Sequence, residues 1–248
     1  MKVIYFLWLR QLKRYIRSKS RIVGSVGQPL LFLLALGFGL GAAFKHAGQG
    51  NYLEFLVPGI MVQTVLFSAM FFGAMIIFDR QFGFLKETMV APVSRFKIMI
   101  GGALGGATTA TIQGTLVLLI SFALGFRVYN YALIPVAIGI MAIMAIAIAC
   151  FSSAFGSFVQ DMQGFQAINQ FLVFPLYFLS GALYPLNNVP TWLKYISEIN
   201  PISYGVDAMR WVLIGHSTFG IYRDMLVLLV TLAVCAIYGT RRFNRIEA

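Results

Sequence analysis

A chain of 248 residues that is 59% hydrophobic and only 11% charged carries more apolar surface than a water-soluble globule can bury, since an ordinary soluble domain has about a quarter of its residues charged. Disorder and collagen-like repeats are excluded, and so is a disulfide or zinc scaffold, because Cys150 and Cys235 each sit in an apolar run without a partner at ligand spacing. The net charge of +11 therefore reports orientation in a bilayer before it reports nucleic acid.

Residues 1–21 place Ile4, Tyr5, Trp8, Leu9, Leu12, Tyr15 and Ile16 on one helical face and Lys2, Arg10, Lys13, Arg14 and Arg17 on the other. This predicts an amphipathic helix lying flat on the inner leaflet, not a signal peptide. Six uncharged runs follow: Ile22 to Phe44, Phe55 to Phe78, Ile98 to Phe126, Tyr131 to Phe158, Phe165 to Leu183 and Met225 to Gly239. A spanning helix needs roughly 20 apolar residues, so the pattern predicts an all-α membrane protein with six transmembrane helices in a single domain over 1–248. None of the runs shows the alternation of a barrel strand.

Between the second and third runs, 79–97 mixes exposed aromatics with both charge signs, unlike a minimal turn. Phe82, Leu85 and Met89 share a helical face that could anchor a partner, with Pro92 ending the helix. The third run carries Gly102, Gly106, Ala110 and Gly114 at spacing four, with Gly101 and Gly105 alongside, a packing face for close backbone approach within or between subunits. The connection 184–223 contains two helix-like pieces too short to span, Thr191–Ile196 and Ser203–Ile214, broken at Asn200-Pro201. They read as re-entrant helices in the outer leaflet, with Trp192, Tyr195, Tyr204 and Trp211 at headgroup level. Asp207 and Arg210, three residues apart, are positioned for a salt bridge.

Lys and Arg divide 14 against 5 between alternate connections, which places both termini in the cytoplasm and agrees with an even number of spans. Chemistry is sparse. The eight carboxylates and the histidines His46 and His216 do not gather into an acid–base set, so no catalytic or metal residues are assigned. No lysine follows a glycine, so a phosphate-binding loop is absent, and ATP, if it drives this chain, is bound elsewhere. The runs hold no ionisable residue, which disfavours an ion-coupled carrier. They do hold Gln63, Gln113, Gln166, Asn169 and Gln170, which either line a hydrophilic path or hydrogen-bond neighbouring helices.

Phe178-Leu-Ser180-Gly181-Ala-Leu-Tyr184-Pro185, followed by Pro190, Trp192, Asn200-Pro201, Tyr204, Asp207 and Arg210, resembles the ABC-2 type permeases, in particular short exporters similar to the daunorubicin-resistance and nodulation-factor permeases. Asp79-Arg80, Gly83, Leu85-Lys86-Glu87 and Ala91-Pro92-Val-Ser94-Arg95 resemble their first cytoplasmic loop. The resemblance implies a prokaryotic inner-membrane exporter for amphiphilic, drug-like, lipid-linked or glycan-type cargo. It implies a dimer with a second copy and two cytoplasmic ATPase subunits, which hold the ATP and Mg, so that this chain binds no cofactor. By the same resemblance 1–21 is the elbow helix, Phe82, Gly83, Phe84, Leu85, Lys86 and Glu87 couple to the ATPase, and segments two and five border the path. Ser180, Gly181, Tyr184, Pro185, Asn200, Pro201, Asp207 and Arg210 then belong to an external cap over 184–223. An ATP-independent channel or carrier is the alternative, and a membrane-embedded enzyme a third reading.

Overall fold

The computed structural model describes residues 2–39, 41, 51–90, 93–186 and 189–245. Lys45, His46, Gln49, Ala91, Pro92 and Asn188, together with the side chains of Lys86 and Met89, lie outside the described residues. Among those described the chain is helical without a strand. The elements are α1 (Lys2–Arg17), α2 (Lys19–Gly39), α3 (Tyr52–Gln81), α4 (Phe84–Val90) and α5 (Arg95–Ala123), then a short turn (Tyr131–Leu133) leading into α6 (Ile134–Phe158). After α7 (Met162–Ile168), a π turn (Asn169–Val173) and α8 (Phe174–Phe178) come α9 (Thr191–Ile199), α10 (Pro201–Ile214) and α11 (Ile221–Phe243).

Among the described residues, five helical segments are long and apolar enough to cross a membrane: Ile22–Gly39, Tyr52–Gln81, Arg95–Ala123, Tyr131–Phe158 and Ile221–Phe243. The fifth apolar run forms a shorter, interrupted path through α7, the π turn and α8, of seven, five and five residues. At 1.5 Å per residue this is roughly 25 Å, short of a ~30 Å hydrocarbon core. Pro175 explains the interruption, because it offers no N–H to the carbonyl of Phe171 and the helix widens just before it.

α3 is the axis of the bundle, buried along most of its length against α5 and α6, with α2 and α10 on its remaining sides. Gly73 and Gly156 let α3 and α6 touch backbone to backbone: a Cβ on Gly156 would lie 2.4 Å from the Gly73 carbonyl oxygen. There the Gly73 N–H donates to Ser152 Oγ at 3.1 Å. The small-residue stripe of α5 is consumed within the subunit. Gly102 and Gly106 receive the Phe72 ring, Gly114 meets Met141 and Val65, and Gly101 and Gly105 seat α1. Trp8 Nε1 donates to Thr108 Oγ1 at 3.0 Å, fixing α1 along α5.

The two short helices expected in 184–223 form near their expected positions but are unequal. Trp192 and Tyr195 of α9 are exposed, whereas α10 is buried from Ile202 to Arg210, and Tyr204 with it. Tyr204 thus faces the protein interior. Its hydroxyl donates to the Glu198 carbonyl at 2.6 Å and accepts from Arg223 at 3.2 Å, and its ring packs on Phe219. A phenol tip satisfied inside the protein has no need of water.

Candidate functional site

The residues singled out from the sequence collect at the two ends of α3. At one end α3 turns into α4 through Gly83, whose φ of +78° lies in the left-handed region where a side chain would be strained. The turn leaves Phe82 and Phe84 more than half exposed, with Phe82 stacked on Phe78 at 5.1 Å. Glu87 is exposed as well. Leu85 differs from the expectation that it shares an outward face with Phe82: it is buried in a small core with Phe72, Ile76, Ile98, Met99 and Phe243. The helix begins only at Phe84, so a periodicity counted from Phe82 crosses a turn and does not hold.

Asp79 and Arg80 were singled out in the sequence, but the partners that make them a mount beneath α4 were not. Asp79 accepts from Arg10 Nη2 at 2.9 Å and from Arg14 Nη1 at 3.4 Å, tying α1 to the last turn of α3. Its neighbour Arg80 reaches the other way, donating to the carbonyls of Gly156, Ser157 and Val159, the nearest at 2.6 Å. Those carbonyls end α6, where a cation satisfies unpaired acceptors and complements the helix dipole. The signal was present as an i, i+4 arginine pair on α1 and an adjacent acid and base at the polar edge of α3.

At the opposite end, the turn 179–183 has its carbonyls captured one after another. Ser197 Oγ donates to Leu179 O at 2.7 Å, Arg210 Nη2 to Gly181 O at 2.8 Å and Ala182 O at 3.0 Å, and Tyr52 Oη to Leu183 O at 3.0 Å. Ser180 is buried and donates to Tyr177 O, and Gly181 adopts φ +74°, which turns the chain. Tyr184 and Pro185, partly exposed, follow that turn. Asn200 caps α10 through its Oδ1, with Pro201 at the first helical position, and its Nδ2 donates to Leu176 O at 2.6 Å.

Asp207 and Arg210 do not form the expected salt bridge; among the described residues the ion pairs are Arg10–Asp79 and Arg14–Asp79. Each finds fixed backbone partners on its own side of α10. Asp207 accepts from Ser217 Oγ, Thr218 N and Phe219 N, all at or near 2.8 Å, and so folds the 215–220 turn. Arg210 holds the 179–183 turn and lies 3.7 Å above the centre of the Phe55 ring. Burial pushes Arg210 down to about 10, with Asp207 nearby opposing the fall, so the guanidinium is charged at neutral pH.

The five uncharged polar residues separate into two groups. Gln63 and Gln113 are buried and border a cavity between α1, α2, α3 and α5, with Ser68 Oγ donating to Gln113 Oε1. Gln166 and Gln170 lie exposed on α7 and the π turn beside Phe171, which is 83% exposed, while Asn169 is partly covered with a buried, unpartnered Oδ1. No group of three or more metal-ligating side chains occurs among the described residues.

The family described as "ABC-2 type transporter" matches residues 2–214 of the chain. Over 215 residues the chain is 32% identical to a protein of Cyanophora paradoxa named as a transport permease, ycf38, covering 83% of this chain and 72% of that one. It is 24% identical over 228 residues to nodulation protein J of Rhizobium leguminosarum bv. trifolii, covering 91% and 86%. With the probable doxorubicin resistance ABC transporter permease protein DrrC of Mycobacterium tuberculosis it shares 27% identity over 239 residues, covering 94% and 86%.

Proposed function

The chain belongs to the ABC-2 type transporter family and is a multi-pass transport permease, and from that premise we propose that it is the membrane half of an ATP-driven exporter. Two copies assemble with two cytoplasmic ATPase subunits, which bind the ATP and Mg; the permease contributes no nucleotide site. Six spans cross the inner membrane, the fifth being the interrupted path through α7, the π turn and α8, and both termini face the cytoplasm. α1 is the elbow helix on the inner leaflet, and α9 and α10 are the external cap. The exposed face of α7 and the π turn, with Gln166 and Gln170, meets the second copy and borders the path. Cargo is amphiphilic, of the drug-like, lipid-linked or glycan type, in keeping with spans that carry uncharged polar groups.

The observation that carries this reading is the mount of α4. Phe82 in the turn and Phe84 and Glu87 on α4 are presented at the end of α3, whose last turn is braced on one side by Asp79 to α1 and on the other by Arg80 to α6. α4 can receive a push at its exposed face and pass it to three helices without bending. A few aromatic anchors dominate contacts of this kind. Phe84→Ala and Glu87→Lys are expected to lower both capture of the ATPase subunit in detergent and transporter-dependent ATP hydrolysis at least tenfold, with insertion unchanged. Full ATPase association and full transport in both variants would overturn the coupling assignment, and transport persisting without any ATPase would favour the channel or carrier.

A further inference from the structure

The cavity between α1, α2, α3 and α5 has about 190 Å³ of internal space, more than ten times the ~10–15 Å³ that a single water needs. It is a slot, not a bubble. Its lining runs along α3 from Gln63 to Met75, roughly 18 Å of helix, and reaches Gln11 and Tyr15 on α1. The α1 end therefore opens beside the helix with the strongest basic face, and the Gln63 end reaches the interior of the bundle.

Two side chains that line this slot are more than nine-tenths buried and carry a polar atom without a hydrogen-bond partner. Tyr15 is 4% exposed with an unpartnered hydroxyl, and Gln63 is 3% exposed with an unpartnered Oε1. Buried polar atoms are almost always satisfied, so two orphans on one cavity point to an absent occupant. Gln28, Ser68 and Gln113 add further donors and acceptors. Among the described residues no charged side chain lines the slot, so neither an anion nor a cation finds a counter-charge among them. α3 also lines the slot with Phe67, Phe71, Phe72 and Met75, which suit an apolar ring face or an acyl chain.

We infer that this slot binds the uncharged, hydroxyl- or amide-bearing head group of a neutral amphiphile within a single subunit, admitted past α1 from the adjacent leaflet. The phenol of Tyr15 and the carboxamides of Gln28, Gln63 and Gln113 supply donors and acceptors to hydroxyls, and the phenylalanine wall covers the apolar remainder. The lining residues all belong to one subunit, so occupancy requires neither the second copy nor the ATPase.

The test uses the purified full chain in phosphatidylcholine nanodiscs, without ATP, and radiolabelled octyl β-D-glucoside below its micellar concentration as the probe. A saturable component of one site per chain is expected, displaced by unlabelled octyl glucoside and at least tenfold less well by octyl sulfate or octyltrimethylammonium. Gln63→Leu should weaken it at least tenfold and Tyr15→Phe at least threefold. Tyr222→Phe, on a side chain 91% exposed on α11, should leave it unchanged. Both slot variants should melt at or above the parent temperature, because each removes an orphaned polar atom. Should Gln63→Leu fail to fold, Tyr15→Phe decides. The inference is overturned if no saturable component exists, if the charged probes compete equally, or if folded slot variants bind as the parent does; the slot then holds water alone. Each of those results leaves the pairing with an ATPase untouched.

Discussion

Replacing Arg210 by Met keeps the aliphatic bulk and removes the guanidinium. Two buried carbonyls, Gly181 O and Ala182 O, then lose their donor. An orphaned buried acceptor costs about 1–3 kcal/mol, and the contact over the Phe55 ring, at 3.7 Å, contributes about 2 kcal/mol when desolvated. Against this, Met relieves the burial of a charge without an ionic partner, which offsets part of the loss. A net loss of about 3 kcal/mol follows, and at 2–4 °C per kcal/mol for a chain of this size the melting temperature should fall by roughly 6–12 °C. Detergent-solubilised protein followed by thermal unfolding and size-exclusion chromatography reads this directly. Arg210→Lys should fall between, because an ammonium can donate to both carbonyls, as Nη2 alone does, but lacks the planar guanidinium that stacks over the Phe55 ring. Asp207→Ala frees the donors of Ser217, Thr218 and Phe219 at a separate place. The double variant should therefore be less stable than either single one, whereas a salt bridge would make it no worse. A double variant that melts with the weaker single, or an Arg210→Met protein that melts with the parent, would refute this account.

Asp79→Asn should loosen α1 by only about 1 kcal/mol, since both arginines are about 40% exposed and the pair is solvent-screened; faster amide exchange over 8–17 with α6 unchanged would show it. Gly73→Ala places a Cβ 2.4 Å from the Ser152 carbonyl oxygen and should cost about 1–3 kcal/mol or more, seen as reduced monodisperse yield. Gly24→Ala, with nothing within 4 Å, should be tolerated. Cysteines introduced singly at Asn130 and Asn244 should label with an impermeant thiol reagent in intact cells at 130 and only after lysis at 244; the reverse would invert the proposed topology.

The helices were legible wherever a long run of one chemistry determines the outcome. Five apolar runs became long helices with shifts at their ends, and the amphipathic stripe of 1–21 became α1. The fifth run was harder, because Pro175 perturbs backbone bonding without altering hydropathy, so an apolar count registers length but misses the π turn. The site was legible in its residue identities more than in its partners. Asn200, Ser180, Gly181 and Arg210 all belong to one hydrogen-bonded turn, yet Arg210 was matched to the nearest opposite charge in sequence when its acceptors are carbonyls 28 and 29 residues away. Tyr52 and Ser197, which complete the same turn, carried no signal: an isolated hydroxyl reads alike at a helix surface and at a buried carbonyl. Asp79 illustrates the converse, since its partners lie 65 and 69 residues off on a helix whose basic face already had an explanation in the membrane surface.

What joins the two ends is α3 itself. Its 30 residues extend roughly 45 Å, and it is held at either extremity by contacts to other elements. At the cap end, Tyr52 holds the Leu183 carbonyl, Phe55 lies under Arg210, and Gly59 sits so close to Ala182 that a Cβ would be 2.3 Å from its carbonyl oxygen. At the α4 end, Asp79 and Arg80 clamp α1 and α6, and Gly83 turns the chain directly into α4. Between them Gly73 and Ser152 lock α3 to α6 without an intervening side chain that could change rotamer. A helix so fixed moves as one body or not at all. Displacement of α4 by a partner must then move the turn 179–183 and α10 together, because Arg210 and Tyr52 bind that turn to both helices. α11 is joined to α6 as closely as α3 is, since a Cβ on Gly239 would lie 2.4 Å from the Cys150 carbonyl oxygen, so it belongs to the same body as the axis.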